Sequence, residues 1–321
     1  MKTAGQRYLF GLACVAIVAG LAFFVPAWTG DQPRRPQTPS APLPYEVRQV
    51  AFDNAKAAVR LAGTLTLPRA PGRHPVIVLI PGSGEVDRDG TLFGHQFYLV
   101  LADDLTRRGF AVLRSDKRGL GGSGGKFADA TSFDFASDIE AGLAFLRSRP
   151  DIDTSRIGLI GHSEGGLIGT MVAGRDPGIA FLVLMAANGI PAADMFLART
   201  GRQLTPPSDP WMRTLLTIDP QSLLRQVRCP VLAMVGEKDR VVTAEENVPA
   251  LERGLAGNPK AQVHRLPALN HFFQTADSGE FSEVAGIGET MSPRALELIG
   301  TWAMAQPAQP AYLGSPKTWV Q

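Results

Sequence analysis

A chain of 321 residues, 45% hydrophobic and 19% charged, with 34 glycines, has the composition of a globular protein with a sizeable core, which excludes a mostly disordered one. Aromatic residues at 7% and the lack of an internal repeat argue against a fibre or a solenoid. The formal charge is only +2, from 32 basic and 30 acidic residues; Lys2, Arg7, Arg34 and Arg35 against Asp31 put the excess in the N-terminal segment and leave the body nearly neutral. With no Lys/Arg run there is no surface to track phosphates, so nucleic acid is not expected as a partner. Cys14 and Cys229 cannot build a disulfide framework and show no zinc-ligand spacing.

Residues 1–30 read as a signal peptide or an N-terminal membrane anchor. Lys2 and Arg7 precede an uncharged stretch from Tyr8 to Gly30, strongly apolar between Leu9 and Val25. A helix of about 20 residues spans the roughly 30 Å of a bilayer core. A secretory apolar region needs only about 7 to 15 residues, so the length of this run favours the anchor over cleavage after Val25-Pro26-Ala27. The basic residues before the run keep the N-terminus inside and send the body outward, to a periplasmic or extracellular location; cleavage would leave a secreted protein. Residues 31–44 hold five prolines with no apolar periodicity and read as an extended linker, so the body is expected over 45–306, with 307–321 as a C-terminal tail.

Within the body, Val47 to Phe52 and Val59 to Leu67 predict an antiparallel pair. Pro75 to Ile80 is a continuous apolar run rich in β-branched residues, which suits a strand covered on both faces. Helical spacing follows over Phe97 to Arg108, a strand over Phe110 to Arg114, and a helix over Phe133 to Arg149. The alternation continues with Ile157 to Ile160, Leu167 to Gly174, Phe181 to Met185, Val231 to Val235 and Val263 to Leu266, and closes with a helix over Arg294 to Ala303. Strands and helices in such alternation predict an α/β protein with a mostly parallel, doubly wound sheet, whose ligands collect at the carboxyl ends of the strands.

At one such end stands Gly161-His162-Ser163-Glu164-Gly165, a G-x-S-x-G pattern with a strand before it and a helix after it. Ser163 is thereby the candidate nucleophile. It needs a base, and there are five histidines. His74 lies at the wrong end of its strand, His264 inside the last strand, His95 near the loop before the first helix, and His162 beside the serine but turned from it. His271, in the loop after the last strand, is the candidate base. A carboxylate must orient it; Asp239, in Gly236-Glu237-Lys238-Asp239, is preferred over Glu237 because it lies farther into its loop. Two backbone N–H groups should hold an oxyanion: Glu164, after the nucleophile, and Ser83, in the glycine-rich Pro81-Gly82-Ser83-Gly84.

Three further patterns are set aside. Gly119, Gly121 and Gly124 fit a dinucleotide fingerprint, but not after the first strand of a βαβ unit. Gly125-Lys126 fails the spacing of a phosphate loop. Asp87 and Asp89 lack further ligands for a metal. No cofactor is implied.

Taken together, Pro81 to Asp89, Asp116-Lys117-Arg118-Gly119, Gly161 to Gly165, Cys229-Pro230-Val231-Leu232, Gly236 to Asp239 and Leu269-Asn270-His271 resemble the α/β-hydrolase superfamily. The likeness is to bacterial serine esterases of its dienelactone-hydrolase-like and serine-peptidase-like group, and it covers nearly everything from Val47 to Ala303. The resemblance implies an α/β-hydrolase fold with a Ser163, Asp239, His271 triad. It implies cleavage of a small-molecule carboxylic ester through an acyl-enzyme. Exopeptidase, thioesterase or acyltransferase chemistry on the same residues, or a catalytically silent binding protein, are the alternatives. The chain departs from the group at Pro81, where relatives often carry His. Residues 187–228, with Met195-Phe196-Leu197 and Trp211-Met212, fall where relatives insert a cap, and a short apolar-rimmed cap would favour compact acyl groups.

Overall fold

A computed structural model describes residues 35–200 and 209–309. The N-terminal segment read as an anchor, and most of the C-terminal tail, lie outside the described residues.

Among the described residues ten strands form: β1 (Tyr45–Asn54), β2 (Val59–Pro68), β3 (His74–Ile80), β4 (Thr91–Leu92), β5 (His95–Gln96), β6 (Ala111–Ser115), β7 (Ile152–His162), β8 (Ile179–Met185), β9 (Val231–Gly236) and β10 (Ala261–Leu266). Eight of them make one sheet in the order β1-β2-β6-β3-β7-β8-β9-β10, while β4 and β5 pair as a separate small hairpin. β1 and β2 run antiparallel, and β2 meets β6 antiparallel. From β6 onward every pairing is parallel. All residues of β8 and of β9 are buried, which is why their sequences show no alternation between apolar and polar positions.

Helices cover both faces. They are α1 (Phe97–Arg107), α2 (Ser132–Arg147), α3 (Glu164–Arg175), α4 (Ala192–Thr200), α5 (Pro210–Thr217), α6 (Pro220–Leu224), α7 (Ala244–Leu255) and α8 (Pro293–Met304). α2 starts where Thr131 and Asp134 exchange side-chain and backbone hydrogen bonds in a capping box. One apolar layer, with Leu143, Ile168 and Leu251, packs α2, α3 and α7 onto the sheet. The other, with Leu101, Leu105 and Ile299, packs α1 and α8 onto the opposite face.

This is a mostly parallel sheet wound on both sides, the architecture of an α/β-hydrolase. Three local expectations change. The helix expected from Leu167 begins at Glu164, immediately after the nucleophile candidate. Between Val235 and Val263 the sequence suggested no helix, yet α7 forms with Pro249 inside it, because Ala244, Asn247, Ala250, Leu251, Gly254 and Leu255 make one buried face. Residues 35–44 hold no helix or strand, but their near end is pinned to the body. Arg35 donates to the carbonyls of Phe93, Ala285 and Ile287, and Gln37 bonds the backbone of Thr290 and Met291.

Because β3, β6, β7, β9 and β10 are parallel, their carboxyl ends lie along one edge of the sheet. Every candidate site residue follows one of these ends.

Candidate active site

Ser163 sits between β7 and α3 with φ of 55°, the left-handed region that a residue bearing a Cβ seldom enters. The turn is tight enough to need its flanking glycines. A Cβ on Gly161 would lie 2.1 Å from the Gly165 carbonyl oxygen, and one on Gly165 would lie 2.1 Å from that of Ile80. The strained turn presents the Ser163 side chain at the mouth of α3, where the first N–H groups of the helix have no intrahelical acceptor.

Asp239 and His271 come from loops after β9 and β10. Their approach depends on Gly236: a Cβ there would lie 2.2 Å from the Leu269 carbonyl oxygen, so the two loops pack backbone against backbone. Lys238 N–H donates to the Leu269 carbonyl at 2.8 Å and fixes that contact. Asp239 is 2% exposed. Its Oδ1 accepts from the Val241 and Val242 amides at 2.7 and 2.8 Å, and its Oδ2 lies 2.8 Å from His271 Nδ1. A carboxylate only accepts, so His271 Nδ1 carries the proton and Nε2 is left as the basic nitrogen. Glu237, the rival carboxylate, is exposed and points to Arg265 at 3.4 Å.

Ser163 and His271 line a common cleft of about 110 Å³, together with Ser83. Its walls are mainly apolar, with Val86, Leu92, Phe97, Phe272, Phe281 and Met291. His95, Phe97 and Phe272 stack in series at centroid distances of 5.1 and 4.8 Å. None of the described residues of 187–228 lines the cleft; its walls come mainly from the 82–98 segment, including β4, and from 271–291, with Ser163, Met185 and Val241 between them. Trp211 is buried, and its indole N–H donates to the Glu164 carboxylate at 2.7 Å.

The loop after β3 holds the candidate oxyanion donor Ser83. The Gly82 N–H donates to the Tyr98 hydroxyl at 3.0 Å, so it is already committed. The next amide, that of Ser83, makes no hydrogen bond to a described residue and stands in the cleft wall. A Cβ on Gly82 would lie 3.2 Å from Ser163 Cβ, which puts this loop directly over the serine. The Glu164 amide, at the start of α3, likewise donates to no described residue. A hydroxyl and a carboxylate-held imidazole on one cleft, with the Ser83 amide in its wall, are parts that acyl transfer requires.

His162 does turn away from Ser163. Its Nε2 donates to the His271 carbonyl at 2.9 Å and its Nδ1 accepts from Tyr98 Oη at 3.2 Å. Burial, with a contribution from nearby His271, lowers its pKa to about 3. His95 bonds Thr290 Oγ1 and the Val284 carbonyl, and burial lowers its pKa to about 4. Tyr98 and Lys117 are participants the sequence did not reveal. Lys117 belongs to the Asp116-Lys117-Arg118-Gly119 segment, but only the folded chain shows that its Nζ reaches Gly82. The set-aside patterns have structural uses: Gly122 N–H and Arg88 bind Asp116, Asp87 caps the turn at Asp89 and Thr91, and Asp89 pairs with Arg114.

The model of the prolyl oligopeptidase family, a peptidase S9 family, matches residues 93–287, well over half of the chain. The chain belongs to the prolyl oligopeptidase family. The matched span of this prolyl oligopeptidase family member contains Ser163, Asp239 and His271, while the oxyanion loop precedes it. The chain is also similar to esterase EstD of Thermotoga maritima, 24% identical over 258 residues that cover 71% of this chain and 62% of that esterase. It spans less than two thirds of the length of the curated relatives it matches. Among solved structures, Est1E of Butyrivibrio proteoclasticus with bound ferulic acid has a TM-score of 0.60 at 22% identity, covering 80% of this chain and 98% of that one. Esterase Pf2001 of Pyrococcus furiosus has a TM-score of 0.59 at 18% identity, covering 88% and 98%. At such identities the two structures speak for the fold.

Proposed function

We propose that this chain is a serine hydrolase that cleaves small carboxylic esters through an acyl-enzyme. The observation that carries the reading is the 2.8 Å contact between His271 Nδ1 and buried Asp239, on the same cleft as the strained Ser163. Ser163 Oγ attacks the ester carbonyl carbon while His271 Nε2 takes its proton. The oxyanion forms against the Ser83 and Glu164 N–H groups. His271 then protonates the leaving alkoxide, the ester C–O bond breaks, and the acyl group stays on Ser163. Water, deprotonated by His271, attacks the acyl-enzyme and releases the acid. Asp239 holds the imidazole in the required tautomer and stabilises its cation. The small, mainly apolar cleft, and the esterases among the similar proteins, support a compact uncharged ester.

A peptidase reading draws on a different observation. Glu85 is the one carboxylate on the cleft wall among the described residues, and it would suit the free amino group of a short peptide. A panel of acyl esters and aminoacyl amides separates the two, with fluorophosphonate labelling as the test of the serine itself. Labelling of the wild type and none of Ser163→Ala is the expected result; labelling of neither would leave a silent binding protein on this fold.

The reading extends to location. No helix among the described residues is long and apolar enough to cross a membrane, and residues 1–30 lie outside them. The Leu9 to Val25 run carries the proposal of an anchor with the body facing outward. The full chain should enter the membrane fraction, retain Lys2, and expose its body to external protease. A soluble mature protein starting at Trp28 would replace the anchor by secretion, and a body shielded from external protease would overturn export.

A further inference from the structure

A buried ammonium stands behind the oxyanion loop. Lys117 follows β6 and is 6% exposed. Its Nζ donates to the Gly82 carbonyl at 2.5 Å and to the Gly84 carbonyl at 3.3 Å, lies 3.7 Å from Glu164 Oε2, and sits 4.7 Å from the centroid of the Phe135 ring. Burying a charge is costly unless such partners surround it, so its location calls for an explanation in terms of those partners.

The Gly82–Ser83 peptide bond is trans, since the cis bond among the described residues is Ala41–Pro42. In a trans peptide the C=O and the following N–H point in opposite directions. The Gly82 oxygen is held inward by Lys117, so the Ser83 N–H is directed outward, to the cleft wall that Ser83 lines. A cation on the carbonyl also draws electron density from the amide and makes its N–H a stronger donor. The preceding N–H of Gly82 is fixed separately by Tyr98.

The same cluster holds the second donor. Glu164 supplies its backbone N–H from the first position of α3. Its side chain points back into the protein, where Oε1 accepts from Ser132 Oγ and from Trp211 Nε1, each at 2.7 Å. Oε2 makes no hydrogen bond of its own and faces the Lys117 ammonium. One buried ion pair therefore touches the Gly82–Ser83 peptide group, through its carbonyl, and the residue of the other donor. Trp211 links it to α5 of the 187–228 segment.

Building on the serine-hydrolase reading, we propose that Lys117, with the Glu164 carboxylate as its counter-charge, is the positioning residue of the oxyanion site. Lys117 sets the plane and donor strength of the Ser83 amide, and Glu164 and Trp211 hold the first turn of α3 in register with it. The substrate carbonyl is a weak acceptor and the tetrahedral oxyanion a strong one, so a misplaced donor is felt in turnover far more than in substrate binding.

The test is Lys117→Met beside the double variant Lys117→Met/Glu164→Gln, which removes both buried charges and guards against a fold lost to an uncompensated carboxylate. For an ester that the wild type turns over, kcat should fall about tenfold to a hundredfold in either variant that melts cooperatively, less than the cost of deleting a donor outright. KM should stay within about twofold, and affinity for a trifluoromethyl ketone, which forms an oxyanion on Ser163, should fall by the same factor as kcat. A folded double variant with wild-type kcat and ketone affinity would overturn the proposal, as would a rise in KM at constant kcat. A wild type that neither labels nor hydrolyses would remove the hydrolase reading and this inference together; an active wild type with an indifferent Lys117→Met would remove the inference alone.

Discussion

The Tyr98 hydroxyl meets His162 Nδ1 at 3.2 Å across the back of the cleft, and through that contact the oxyanion loop is joined to the backbone of the candidate base. Tyr98 Oη accepts from Gly82 N–H on one side, while His162 Nε2 donates to the His271 carbonyl on the other. The loops that follow β3 and β10 are thus tied together by two buried side chains. Tyr98→Phe should leave the Gly82 amide and His162 Nδ1 unpaired. A loss of about 1–3 kcal/mol in denaturant unfolding is expected, with ester turnover lower by about tenfold. Unchanged unfolding would mean that water replaces the hydroxyl without cost.

The two neutral histidines make the fold sensitive to acid. Both have folded-state values below the ordinary one of about 6.5, near 3 for His162 and 4 for His95, with burial as the main cause. Between those values and 6.5 the unfolded chain binds more protons than the folded one, so stability rises with pH there. Their contribution is complete above about pH 6.5 and is lost progressively as the pH falls towards 4 and then 3. Melting temperature measured from pH 7 to pH 4 should therefore decline, and His95→Gln should flatten the decline. Parallel curves for wild type and variant would show that His95 titrates alike in both states.

Asp239 and Glu237 sit two residues apart but in opposite surroundings. Asp239→Asn should lower ester turnover on the order of 10⁴-fold with the melting curve little changed, because the imidazole takes the wrong tautomer. Glu237→Gln should stay within about twofold, because its carboxylate makes an exposed pair with Arg265 and reaches neither His271 nor Ser163. The reverse result would exchange the roles of the two carboxylates.

Gly236→Ala tests the packing that brings acid and base together. The added methyl meets the Leu269 carbonyl, so the His271 loop must move, at a cost of about 1–3 kcal/mol in stability along with a fall in kcat. Gly257→Ala meets nothing within 4 Å and should lie within about 0.5 kcal/mol of wild type. Equal behaviour of the two variants would show that the loop contact is unimportant.

Much of this protein could be read from its sequence, because local patterns carry it. Continuous apolar runs marked β3, β8 and β9, since strands covered on both faces have no polar side to show. The glycines around Ser163 marked the tight turn, since a Cβ at either would strike backbone. Chain order and the carboxyl-end rule singled out His271 and Asp239 over their neighbours. Other features depend on contacts between distant segments, and no local pattern encodes those. Pro249 masked α7, whose buried face exists only against the sheet. Trp211 suggested an apolar rim, but the nearby Glu164 carboxylate draws it inward. Tyr98 is an ordinary helix aromatic until Gly82 and His162 lie beside it. Lys117 could have been any surface lysine; only the arrival of the Gly82 and Gly84 carbonyls and of Glu164 from two other strand ends makes a buried ammonium stable there. Sequence by itself determined the candidates for chemistry, and tertiary structure decided which groups surround them, because those partners come from separate segments that only the fold brings together.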